Sequence, residues 1–149
     1  MKKVVKNRHI GSYGVIIENE KIVLIRKARG GYKGKLDLPG GGIEHNENPI
    51  EALHRELMEE AGVRVQDEKL IDVFSNNIVW EESEELYEDL HHLGIVYRVK
   101  ATGNLKKEPD GIDSLGSNWY EISELSPSEI TPFVRMSLEK LGYQFKKIK

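Results

Sequence analysis

The chain of 149 residues contains no cysteine, which excludes disulfides, thiolate metal sites and a cysteine nucleophile and fits a reducing compartment. It also lacks an excess of positive charge: 22 lysines and arginines stand against 25 aspartates and glutamates, a formal net charge of −3. No general positive field is present to hold a nucleic-acid backbone, so a polymer of that kind is not an expected partner. No apolar run is long enough for a membrane span or a signal peptide, because "MKKVVKNRHI" starts with lysines and soon meets further charge. These absences predict a cytoplasmic protein with no membrane partner. The length fits a single domain over residues 1–149, with a real core and no internal repeat.

What is present reads as mixed β and α. "YGVIIENEKIVLIRK" gives two β-rich runs, residues 15–17 and 22–25, around a polar turn at 18–21, which predicts a hairpin. "ARGGYKGKLDLPGGG" follows, with six glycines and one proline in fifteen residues, and allows only a short strand at 36–38. A helix is then signalled over Pro49–Ala61: Asn48 is placed as N-cap, Pro49 at the first helical position, Glu51 at the capping-box spacing and Gly62 at the end. "KLIDVFSNNIVW" and "HHLGIVYRVKAT" read as strands, and the acidic stretch "EESEELYEDL" between them reads as a solvated loop or short exposed helix. "SNWYEI" predicts a further short strand, and "TPFVRMSLEKLGY" a second helix with Thr131 as N-cap and Pro132 after it.

The first helix carries the chemistry. At about 100° per residue, Ile50, Leu53, Leu57 and Ala61 share one stripe, the expected core face, and Glu56, Glu59 and Glu60 share an adjoining arc with Glu60 nearest the core. A salt-bridged surface helix accounts for Glu51, Arg55 and Glu59, spaced i, i+4, i+8. It does not account for Glu56 and Glu60, a like-charge i, i+4 pair that repels more strongly as water is excluded. A hard divalent cation, Mg²⁺ or Mn²⁺, would supply the missing positive charge, since the donors are oxygens. Gly40, Gly41 and Gly42 bring flexible backbone beside the helix start, where a carbonyl can join a metal shell or an N–H can meet phosphate.

Gly41, Glu47, Arg55, Glu56, Leu57, Glu59, Glu60, Gly62 and Val63 match all nine fixed positions of the Nudix box within a 23-residue frame, about a sixth of the chain. The sequence thus resembles the Nudix hydrolase family, MutT-like. The hairpin before the box, "LDLPGG" leading into it and a tryptophan followed by "ISEL" agree with that. The resemblance implies an α/β protein with the Nudix fold, an α/β/α sandwich around a mixed sheet. It implies Mg²⁺-dependent hydrolysis of the pyrophosphate bond of a nucleoside diphosphate linked to another group. By position, Glu56, Glu59 and Glu60 would be metal-binding carboxylates, with the carbonyl of Gly40 a further ligand. Gly41, Glu47 and Arg55 would be structural, the last two an ion pair that ties the loop to the helix, whereas helical spacing alone pairs Arg55 with Glu51 and Glu59. The general base would be a box carboxylate such as Glu56 or a distant acid, with Asp113 favoured over Asp110 and Glu108.

Arg26, Arg29, Lys33 and Lys35 sit where they could reach phosphate, with Arg26 and Lys35 our choice for substrate contact. Trp80, Tyr87 and Tyr97 are either stacking residues or core, and at most one of His91 and His92 faces a pocket if they open a strand. Leu36 stands where many relatives carry an aromatic. The substrate options are a nucleoside triphosphate, ADP-ribose or another nucleotide sugar, and a dinucleoside polyphosphate. The short segment before the hairpin argues against the larger ADP-sugar enzymes. A non-catalytic nucleotide sensor is a separate alternative, against which all box carboxylates are retained. A homodimer is compatible with the family pattern.

Overall fold

Asn19 and Glu20 both adopt positive φ, 50° and 63°, the reversal that a two-residue hairpin needs to match the twist of its strands. A computed structural model describes residues 3–109 and 114–146 of the chain. In it this turn joins β2 (Ile17–Glu18) to β3 (Lys21–Lys27), directly after a long β1 (Lys3–Val15). β4 (Leu36–Asp37) and β5 (Gly40–Gly42) follow, then α1 (Pro49–Ala61), β6 (Arg64–Ser83), β7 (Leu86–Thr102), β8 (Ser114–Glu121), a short 3₁₀ turn and α2 (Pro132–Lys140).

The strands form two four-stranded sheets. One has the order β5-β1-β7-β6 and is mixed, with β1 parallel to β7 and the other pairs antiparallel. In the other, β3 pairs antiparallel with β2, β4 and β8. Strand alternation sorts the core onto two faces. Val15, Ile22, Leu24 and Val96 pack with Phe133, Val134 and Leu138 of α2, whereas Ile16, Val23, Tyr97 and Val99 pack with Leu53, Leu57 and Ala61 of α1. One helix on each face gives the α/β/α layering expected of the sequence. No helix among the described residues is long and apolar enough to cross a membrane.

α1 has the expected bounds because its ends are chemically closed. Asn48 accepts from the Glu51 N–H, Glu51 accepts from the Asn48 N–H, and Gly62 ends the helix at φ 72°. Its core stripe departs from expectation at one residue: Ile50, in the first turn, is 43% exposed, and Ala52 is buried with Leu53, Leu57 and Ala61 instead. Thr131 stands at the N-cap of α2 but makes no side-chain cap bond, because its Oγ1 donates to buried Asp37 at 2.6 Å.

The acidic stretch at 81–90 is neither loop nor helix. β6 runs on to Ser83, β7 starts at Leu86, and only two residues make the turn. β1 lies parallel to this part of β7, which sets Lys6 opposite Asp89 and brings Asn7 to donate to Glu88. Those partners lie about eighty positions away in sequence, so a local reading of charge does not find them.

Candidate active site

Glu60 belongs to the buried stripe of α1 and is only 8% exposed. Its Oε2 accepts from the Gly40 N–H at 2.8 Å, so the glycine loop reaches the helix through backbone. The approach requires glycine: φ at Gly40 is 144°, and a Cβ there would collide with the Ser12 carbonyl oxygen. A Cβ on Gly41 would lie 2.6 Å from a Glu56 carboxylate oxygen. The loop is therefore moulded around the carboxylates.

Arg55 ties the cluster together. Its Nε and Nη2 donate to the two oxygens of Glu47 at 2.8 Å each, Nη2 also donates to the Gly42 carbonyl at 2.9 Å, and Nη1 donates to Glu56 at 2.8 Å and Glu59 at 3.3 Å. This settles the two pairings drawn from the sequence. Arg55 does bridge loop to helix through Glu47 and does reach Glu59, but Glu51 is engaged by the helix cap instead. Hydrogen bonds from Arg55 and the Glu44 N–H hold Glu47 at a pKa of about 2.

The opposite holds deeper in. Burial raises Glu60 to about 8, with Asp37 and Glu56 adding to the effect and the Gly40 N–H and Lys27 opposing it. Glu56 is likewise raised, mainly by burial, against the pull of Arg55. Two carboxylates are thus held above their ordinary range chiefly because they are withdrawn from water. A divalent cation fits this donor set: the ligands are hard oxygens and the site favours added charge. The fit is one of chemistry rather than of a finished cage, because among the described residues no three acidic or imidazole groups converge on one point. Mg²⁺ commonly keeps water and substrate oxygens in its shell, so an incomplete protein shell suits it.

Glu56, Glu59, Glu60 and Gly40, Gly41 and Gly42 line a cleft of about 780 Å³. The same cleft is lined by Lys27, Arg29 and Arg8, by Lys106, whose Nζ reaches the Glu59 carbonyl, and by Asn7, His9, Tyr13, Glu88 and Leu90 from β1 and β7. The structure does not bring Arg26 and Lys35 into this lining: Arg26 Nη1 donates to the Gly34 carbonyl at 2.8 Å and Lys35 Nζ to the Ser128 carbonyl at 3.2 Å. Lys27 takes the place expected for Arg26, and the two-residue period of β3 was the signal, since adjacent side chains on a strand face opposite ways. Arg8, Glu88 and Lys106 were not singled out in the sequence and carried no local signal. Asp113 and Asp110 lie outside the described residues, and Glu108 is exposed and not part of the lining.

The aromatic candidates divide. Tyr97 is core, 7% exposed, and Tyr87 is half-buried. Trp80 is half-buried and donates from Nε1 to Glu88 at 2.7 Å. Of the two histidines, His92 faces inward, 5% exposed, and accepts or donates through Nε2 to the Tyr13 hydroxyl at 2.7 Å, while His91 lies on the opposite face near Ser75.

A helix with three clustered glutamates, clamped to a glycine loop by a partly buried ion pair above a mixed sheet, defines a class as well as a site. The family model described as NUDIX domain matches residues 8–141, and the chain belongs to the Nudix hydrolase family, whose members cleave pyrophosphate bonds. It is 29% identical over 132 residues to the 8-oxo-dGDP phosphatase NUDT18 of Homo sapiens, an alignment covering 87% of this chain and 36% of that protein. It is 28% identical over 135 residues to the ADP-ribose pyrophosphatase of Methanocaldococcus jannaschii, covering 83% of this chain and 75% of the relative. Among solved structures, the MutT NUDIX hydrolase from Burkholderia pseudomallei superposes with a TM-score of 0.74 at 25% identity, covering 91% of this chain and 98% of the other. The chain thus spans little more than a third of the human relative's length.

Proposed function

We propose that this protein is a Mg²⁺- or Mn²⁺-dependent hydrolase that cleaves the pyrophosphate bond of a nucleoside diphosphate-linked small molecule. The observation that carries this reading is the convergence of Glu56, Glu59 and Glu60 with the glycine loop in one cleft that Lys27 and Arg29 also line. The relatives' names differ in the group attached, 8-oxo-dGDP in one case and ADP-ribose in another, and share the pyrophosphate. The bond is therefore better supported than any one substrate.

Glu56, Glu59, Glu60 and the Gly40 carbonyl would hold the cation. When bound, a divalent ion screens the pyrophosphate charge and acidifies a coordinated water. The chain's own groups do the rest. Lys27 and Arg29, which line the same cleft, bind phosphate oxygens and compensate charge that builds on the departing phosphate. A carboxylate removes the proton of the attacking water: Glu56, which lines the cleft, with Asp113 the alternative. Arg55 holds Glu56 in place without touching the substrate, and Glu47 holds Arg55. The attack is in line at phosphorus and needs no covalent enzyme intermediate.

The test is a hydrolysis panel with Mg²⁺: nucleoside triphosphates and their oxidised forms, ADP-ribose, nucleotide sugars and dinucleoside polyphosphates, with Glu59→Gln alongside. Turnover of one class that is lost in the variant is the expected result. No turnover across the panel would overturn it. Comparing Glu56→Gln with Asp113→Asn identifies the base as the variant with the larger fall in kcat.

A further inference from the structure

We propose that an aromatic side pocket of the cleft receives the substrate's base and that Glu88 makes it selective for guanine. This rests on the nucleotide hydrolase reading above. The cleft continues past Lys27 and Arg29 into a recess of about 180 Å³ whose walls include Trp80, Tyr32, His9 and His92. The flat rings in these walls suit a planar base, because bases stack on such side chains, and Lys27, Arg29 and Asp37 line the recess beside them.

Glu88 lines both the cleft and the recess. Trp80 Nε1 donates to its Oε1 at 2.7 Å, and Asn7 Nδ2 donates to its Oε2 at 2.6 Å. Both donors are neutral, so they fix the carboxylate in place without balancing its charge. Each carboxylate oxygen has a second acceptor position, which leaves a rigid pair of acceptors side by side.

The complement of that pair is two adjacent N–H donors. Guanine offers them as N1–H and the N2 amino group. Adenine sets an N1 acceptor beside its amino group and would turn a lone pair toward the carboxylate. Hypoxanthine keeps N1–H but lacks the second donor. His92 also lines the recess, with its Nε2 held by the Tyr13 hydroxyl at 2.7 Å.

The experiment measures kcat/KM for GTP, ITP and ATP, and separately the calorimetric binding of GMP, IMP and AMP. GTP is expected to exceed ITP and ATP by about tenfold or more, the scale of a bidentate base contact, with the same order in binding. Glu88→Gln should bring the three bases within about twofold of one another, because the amide replaces one acceptor by a donor. Trp80→Phe, which keeps a ring but removes the Nε1 donor, should lower the preference part of the way. Wild-type protein that turns over the three triphosphates at similar efficiency overturns the guanine assignment and leaves the hydrolase reading standing. Absence of turnover with all three removes these triphosphates as substrates and leaves the hydrolase reading to the wider panel, and the binding order then decides the pocket: GMP bound no better than AMP, or not at all, overturns it.

Discussion

One guanidinium, that of Arg55, joins Glu47, Gly42, Glu56 and Glu59. Lysine has neither the planar fork nor enough donors to repeat that set. Arg55→Lys is therefore expected to lower kcat by about 10- to 100-fold, the usual range for groups that orient metal ligands, with a smaller effect on KM. Steady-state kinetics on the best substrate checks this. Glu60 allows a prediction of opposite character. Its folded pKa of about 8 lies above the ordinary 4.5, so the folded, metal-free protein keeps a proton that the unfolded chain releases. Stability from this group is present below 4.5 and is lost as pH rises through about 8. Glu60→Gln removes that loss, so the Tm of the variant minus that of the parent, measured in chelator, should grow steadily across the same interval. At this scale the sequence was informative where spacing fixed the answer. The clustered glutamates and the glycine loop could be read from it, whereas the Glu47–Arg55 pair came only with the family resemblance, because helical spacing set Arg55 against Glu51 and Glu59. The partners of charge in the cleft could not, because Arg26 and Lys27 are neighbours in sequence and only the strand's facing separates them.

At the scale of elements, α1 is defined by its ends. The reciprocal Asn48 and Glu51 bonds close the N-terminus, and Asn48→Ala is expected to cost about 1 kcal/mol, read as a lower urea midpoint with unchanged slope. The helix was legible because capping is local chemistry, written within a few residues. The strands at 69–80 and 91–102 were read, but their extension through the acidic stretch to a tight turn was not, and the reason is specific. Glu88 reads as one more charge in a solvated run, yet its donors, Trp80 and Asn7, come from the strands on either side of it. Asn7 is 81 positions away. A charge run is a solvated face only when nothing distant answers it.

For the whole molecule, both cores are built from apolar side chains on the two faces of the sheets, so the fold does not depend on a cation. Chelation is expected to abolish hydrolysis while leaving the far-ultraviolet circular dichroism unchanged. Returning Mg²⁺ should raise Tm by mass action. The rise should be larger above the Glu60 value of about 8 than below it, since the ion and the proton compete for one carboxylate. Acid acts on a different group. Burial holds His92 at about 3, against an ordinary 6.5, so the unfolded chain takes up a proton there first. Stability is accordingly expected to decline as pH falls from 6.5 toward 3, and a slope made shallower by His92→Gln would assign the decline to this residue.

The parallel pairing of β1 with β7 also sets an order of events. α1 and the glycine loop are close in sequence and can meet early. The wall that carries Asn7 and Glu88 cannot exist until residues 86–98 are available to residues 3–15. On a ribosome adding about 5–20 residues per second, the first strand waits roughly ten seconds for its partner. During that time a nascent chain holds its carboxylate helix beside an unformed cleft. The two sides of this site therefore have different birthdays, and the molecule gains a binding surface only when its oldest strand finds one of its youngest.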